Sequence, residues 1–262
     1  MSDFSLDNPP LICVAARVQF APVTKIDDYI TALQEEFRLR GYPLFASESA
    51  KAWRIQPIPH SEPSISCQEL TRWSFANGQN TVIARVDQES ITLFFGDYRH
   101  FSDARSHYQE VFEVIEKVVP ALQVVGWQLR YINHIPLEEG ESAAHWVQPL
   151  ILGLPNLDGL TREGSISETG FQTESGGNLV VRCASLANGL SLPADLLPLD
   201  LTIKHSLHCK YSFVMLELVH SNTTETSPFA AADCLEKISS LRPQIVGIFR
   251  GIVTPEALNT WT

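Results

Sequence analysis

The shortness of the connections between residues 69 and 95 narrows the fold more than any other feature of the chain. Three strand patterns, over 69–76, 81–86 and 91–95, are joined by Asn77-Gly78 and Asp87-Gln88. A parallel pair needs a crossover of a dozen or more residues, so these strands must run antiparallel. Asn-Gly is also a favoured two-residue hairpin turn. Two more hairpins are expected. One joins 171–174 to 179–185 across Ser175-Gly176-Gly177-Asn178; the other joins 199–207 to 211–220 across His208-Cys209-Lys210.

Helices and further strands surround this meander. Ile12, Val14, Ala16, Val18 and Phe20 alternate on one side of a first strand, with Arg17 and Gln19 on the other. A helix runs from Thr24 to about Arg40, stopped by Gly41 and Pro43. A weaker strand follows over 44–57, then a Pro/Ser loop over 58–66. The best helix spans 102–119, with Tyr108, Val111, Phe112 and Ile115 as its apolar stripe. The longest strand, 124–135, comes next. After a polar linker over 222–227, the last helix opens at Ser227-Pro228, and Pro243 is expected to kink or restart it. Thr254-Pro255 then starts a final turn to Trp261. Runs of strands between helices predict an α+β fold with one large, mainly antiparallel sheet and three long helices packed chiefly on one face. The chain is expected to form a single domain, 1–262, with two related halves, about 1–136 and 166–262.

Residues 137–170 join those halves. This stretch is Gly- and Pro-rich and is expected to be mostly loop, with a short helix at 143–152 turning Trp146, Leu150 and Ile151 inward. A loop this long inside a compact domain is usually functional.

Composition removes several classes of function. The net charge is −11, and no Lys/Arg-rich run is present, so nucleic acid is not expected as a direct ligand. An acidic surface keeps a chain soluble and could also steer it toward a basic partner. The five cysteines are widely spaced and include no C-x-x-C, against a disulfide framework or a zinc knuckle. No apolar run approaches the ~20 residues of a membrane span. The chain is therefore expected to be cytoplasmic. Phosphate-binding glycine loops, H-E-x-x-H and G-x-S-x-G are all missing, and no cofactor is expected.

The residues that could carry chemistry are few. Arg130 and His134 share one side of the long strand and could bind an anion or move a proton; equally, Arg130 could pair with a carboxylate. His100, Asp103 and His107 share a helix face as weak candidates for a metal, but an i, i+7 spacing of about 10 Å is too long for one ion. His205 and Glu217 could pair across strands. Trp146 and Trp261 are candidate interaction anchors, since aromatics are enriched at interfaces; Trp261 could also dock on the body of the fold.

Several short motifs occur in a telling order. They are Asn8-Pro9-Pro10-Leu11, Phe20-Ala21-Pro22, Tyr42-Pro43, Trp73-Ser74-Phe75, Leu129-Arg130-Tyr131-Ile132-Asn133 and the closing run from Phe249 to Glu256. In this order the chain resembles a sporadically distributed family of uncharacterised bacterial and archaeal proteins. Its members open with N-x-P-L, carry a central L-R-Y-I-N and end with F-x-x-x-I-T-x-E. The family often has His about seven residues before the last Phe, where this chain has Arg242. The resemblance implies a prokaryotic protein but no activity, substrate or cofactor.

Three functions are therefore carried forward. The first is a non-enzymatic protein-interaction module, a subunit of a bacterial assembly that recognises another protein through 137–170. The second is a small-ligand-binding protein with a cavity between sheet and helix. The third is a His- or metal-dependent hydrolase or nuclease.

Overall fold

The structure is a computed structural model that describes residues 6–56, 64–174, 176–186, 193, 196, 200–203 and 211–262, with side chains described outside 50–69. Nine strands form one antiparallel sheet: β1 (Leu11–Phe20), β2 (Leu44–Gln56), β3 (Ser64–Ala76), β4 (Val82–Val86), β5 (Ser90–Phe95), β6 (Gln123–Pro136), β7 (Gly164–Gln172), β8 (Asn178–Leu186) and β9 (Phe213–Pro228). Their spatial order is β2-β3-β4-β5-β1-β6-β9-β8-β7. Helices α1 (Ile30–Leu39), α2 (Phe101–Val118), α3 (Ala231–Ile252) and α4 (Pro255–Trp261) complete the fold. The expected third hairpin strand over 199–207, with His205, His208 and Cys209, lies outside the described residues except at 200–203.

β1 and β6 pair antiparallel at the centre of the sheet. Outward from β1 run β5, β4, β3 and β2; outward from β6 run β9, β8 and β7. In both series the first strand of the series lies beside its last, followed by a helix, α2 or α3. The topological division thus falls between α2 and β6.

Strand alternation divides the side chains between two faces. Val14, Ala16 and Val18 of β1 join Leu129 and Tyr131 of β6 and Leu216 and Leu218 of β9 in the main core, against Phe37 of α1, Phe112 of α2 and Ile245 of α3. The opposite face carries a smaller apolar cluster of Cys13, Ala15, Phe94, Ile132, Phe213 and Met215; Leu196, Leu201 and Ile203 pack over it.

Several expectations need correction. Among the described residues there are four helices, not three long ones: only α2 and α3 exceed ten residues, and a 3-10 turn over Ile26–Tyr29 precedes α1. The polar stretch 222–227 is strand. It overhangs β8, whose pairing with β9 stops at Asn178↔Ser221, so only β6 flanks it and its residues can be polar. Ser227 and Pro228 therefore end β9 rather than start α3. β7 begins at Gly164, seven residues before the expected strand, because pairing with β8 overrides the weak propensity of its Gly and Ser residues. Residues 143–152 form two 3-10 turns instead of a helix, and Leu150 is 91% exposed instead of facing inward. Asn77-Gly78 opens a five-residue loop, with Asn77 Oδ1 accepting from Thr81 N and Val82 N. α3 runs through Pro243 as one helix.

Candidate functional site

β6 sends its central motif to both faces of the sheet. Leu129 and Tyr131 point toward the helices, and Arg130 and Ile132 point away from them. Arg130 is buried and paired with the carboxylate of Glu217 on β9. Glu217 Oε2 also accepts from Arg182 of β8 at 2.5 Å, and Arg182 reaches on to Glu168 of β7. The result is an alternating row, Arg130–Glu217–Arg182–Glu168, crossing four strands. Burial pushes the neighbouring Cys13 thiol up to about 12, opposed only in part by Arg130.

His134 lies four residues along from Arg130, about 13 Å at the usual strand rise. Its buried ring packs against Phe213, with centroids 5.1 Å apart. The two candidates for ligand binding share a face but not a contact site.

The weak metal candidates are also separated. His100 precedes α2 as its N-cap residue, and His107 Nδ1 shares a 2.6 Å hydrogen bond with the hydroxyl of Tyr42. Burial lowers the pKa of His107, with Glu110 and Asp103 opposing. Among the described residues, no group of three or more His, Cys, Asp or Glu side chains is placed to hold a metal ion.

The two tryptophans come together instead. Trp261 is buried and stacks on Trp146, with centroids 5.5 Å apart. Trp146 Nε1 donates to Glu141 at 2.9 Å. Thr254, at the α3–α4 junction, donates its hydroxyl to His145 O at 2.6 Å and its backbone N–H to Trp146 O at 3.0 Å. These contacts fix 143–148 to the end of the chain.

Beyond this anchor the segment changes character. Six of the nine exposed large apolar side chains among the described residues lie between Leu150 and Phe171. Leu157 and Leu160 sit at a tight turn closed by mutual backbone hydrogen bonds, and Gly159 supplies the positive φ it requires. Arg162 holds the loop from within, donating to the carbonyls of Leu152 and Leu154 at 2.8 and 3.1 Å. Ser165 and Ser167 of β7 donate to the carbonyls of Leu152 and Ile151. The leucines at 150, 154, 157 and 160 are thus held outward beside β7.

β7 is an edge strand, and among the described residues no backbone hydrogen bond covers its outer side. Edge strands are usually blunted by Lys, Pro or a bulge. The other edge, β2, carries Lys51 and Arg54. β7 has neither a basic residue nor a proline, and its pairing with β8 is unbroken in register. The rim is acidic: residues 137–174 contain seven carboxylates and one arginine, a net charge of −6.

The sequence pointed to this segment through Trp146, whereas its exposed apolar side chains are Leu150, Leu154, Leu157 and Leu160 and, on β7, Ile166 and Phe171. The leucines at 150, 154, 157 and 160 recur at a helix-like spacing, which in a helix would mark an inward face, but Gly153, Pro155 and Gly159 interrupt the stretch and no helix spans it. Compared with family models, with curated proteins and with solved structures, the chain matches none. No helix among the described residues is long and apolar enough to cross a membrane.

Proposed function

We propose that the chain is a protein-interaction module that takes an extended segment of another protein onto the outer edge of β7. It would serve as one subunit of a larger assembly. One observation carries this reading: an edge strand whose outer side no backbone hydrogen bond covers among the described residues carries or adjoins six exposed large apolar side chains. Added strands gain affinity from main-chain hydrogen bonds and specificity from alternate side chains. Here Ile166 lies on one face of β7 and Phe171 on the other. The net charge of −6 over 137–174 selects a segment that combines apolar with basic residues. It also disfavours a second copy of this chain, which would bring the same charge.

A photo-crosslinking amino acid at Leu157 and at Ile166, compared with one at Glu110 on α2, tests this. One partner protein should couple from both edge positions and not from α2. With that partner purified, Ile166→Lys should weaken binding at least tenfold, and added salt should weaken it in the parent chain. Coupling only to a second copy, or equally from all three positions, would overturn the reading.

A further inference from the structure

A second site lies on the face of the sheet opposite the helices, away from the β7 edge. It emerges from how the two strand series correspond. Arg17 of β1 lies opposite Gln128 of β6, Ala16 opposite Leu129, and Ala15 opposite Arg130. A half-turn about the Ala16–Leu129 pair therefore exchanges Arg17 with Arg130. Outward from the centre, Arg130 faces Val219 of β9 and Arg17 faces Thr92 of β5. Two residues earlier on those strands stand Glu217, opposite Ile132, and Ser90, opposite Gln19. Glu217 and Ser90 thus occupy corresponding places beside corresponding arginines.

The two places differ in charge. Arg130 is closed by the carboxylate of Glu217. Beside Arg17 the same position offers only a hydroxyl, and that hydroxyl donates to Asp87 Oδ1 at 3.0 Å. The Nε of Arg17 is buried without a hydrogen-bond partner, and among the described residues no ion pair joins its guanidinium. Buried polar groups in native folds are nearly always hydrogen-bonded, so a donor of this kind calls for a partner.

Arg17 borders a half-open pocket of about 160 Å3. Leu70, Phe94 and Leu196 supply its apolar lining, and Thr92 and Gln128 flank Arg17. Arg72, Arg85 and Arg130 line it too, but each has a carboxylate: Glu217 for Arg130, and Glu48 for Arg72 and Arg85 at 3.8 and 3.5 Å. Two carboxylates of the β4–β5 turn complete the lining, Asp87 and Glu89. Asp87 is tied into the turn, accepting from Glu89 N and Ser90 Oγ, and Glu89 has a partner of its own.

We propose that this pocket binds a small monocarboxylic acid. Its carboxylate sits on Arg17 as that of Glu217 sits on Arg130, and its apolar part lies against Leu70, Phe94 and Leu196. A guanidinium matches a carboxylate bidentately, which selects an acid over an alcohol or an amine. Asp87 and Glu89 act against a multiply charged anion such as sulfate, since like charges repel at short range. An apolar cavity of about 150 Å3 takes a benzene ring, so the apolar part is about the size of one ring.

The probe is benzoate, followed by titration calorimetry and by NMR of the arginine Nε–H groups. The comparisons are benzyl alcohol, benzylamine and sulfate. Benzoate should bind saturably and the other three at least tenfold more weakly. It should also shift the Arg17 Nε–H resonance, which is assigned by its loss in Arg17→Lys. Arg17→Gln should weaken benzoate at least tenfold, and thermal melting establishes that each variant is folded. Failure of benzoate to saturate, equal binding of any comparison compound, or an unmoved Arg17 resonance would overturn the proposal, as would unchanged binding in a folded Arg17→Gln variant. Crosslinking from β7 has no bearing on these outcomes.

Discussion

Trp261 lies nearly parallel to Trp146, with ring planes 15° apart and centroids separated by 5.5 Å. The last aromatic of the chain thus pins the segment that leads into the exposed leucines. Truncating a buried Trp to Ala typically costs about 3–5 kcal/mol, from lost burial and the cavity left behind. Trp261→Ala should therefore lower the urea midpoint and increase hydrogen exchange in 143–148 more than in β1. Equal protection changes in both places would separate the stack from any local role.

The buried row at Arg130 gives a different signature. Removing one member of a buried ion pair leaves the other charge uncompensated, at a cost of about 3–5 kcal/mol. Glu217→Met should destabilise strongly, and Arg130→Met should cost less, because Glu217 keeps its contact with Arg182. The double variant should be more stable than the sum of the two predicts, because the apolar neighbours Ile132 and Met215 can pack against new methionines. Simple additivity in a double-mutant cycle would mean that the two residues are not coupled.

His107 sets an acid limit on stability. Its pKa is lowered in the fold, chiefly by burial, from an ordinary 6.5. The unfolded chain therefore binds the proton first as pH falls, and stability must drop. This contribution is complete above about pH 6.5 and is lost as pH falls through the lower folded value. Glu35 and Glu113, held below the ordinary 4.5 by hydrogen bonds from Arg38 and Arg40, act only at lower pH. Urea unfolding at pH 7.5 and 5.5 should show the loss, and His107→Gln should flatten it. A parallel profile in the variant would assign the loss to another group.

Three thiols should be silent. Burial pushes Cys13 up to about 12 and Cys183 and Cys234 to about 11. Reaction requires the thiolate. Iodoacetamide at pH 8 should leave all three unlabelled in the folded chain and label them in denaturant. Rapid labelling of any one in native buffer, mapped by peptide mass, would show that its strand opens.

Much of the sheet was legible because its strands obey period 2 and its turns are short. β1, β5, β6 and the inner part of β9 follow from alternation alone. β7 did not, because Gly164, Ser165 and Gly170 carry little strand preference and their conformation is imposed by β8. The site residues divide in the same way. Arg130 was visible as the one cation on an apolar strand, but its partner Glu217 is 87 positions away, a separation that local pattern cannot bridge. The outward leucines were missed because exposure is decided by what packs over a loop, here by Arg162 holding it from inside.

The central β1–β6 pair has a consequence for how the chain can be divided. Without β6, the first series would end in a bare ten-residue strand, and without β1 the second would end in a bare fourteen-residue one. Both are almost wholly buried in the whole chain. Each half is the lid on the other's stickiest border. A cut in the short connection between α2 and β6 should therefore yield two fragments that aggregate when made apart and reassemble when made together, a natural basis for a split reporter.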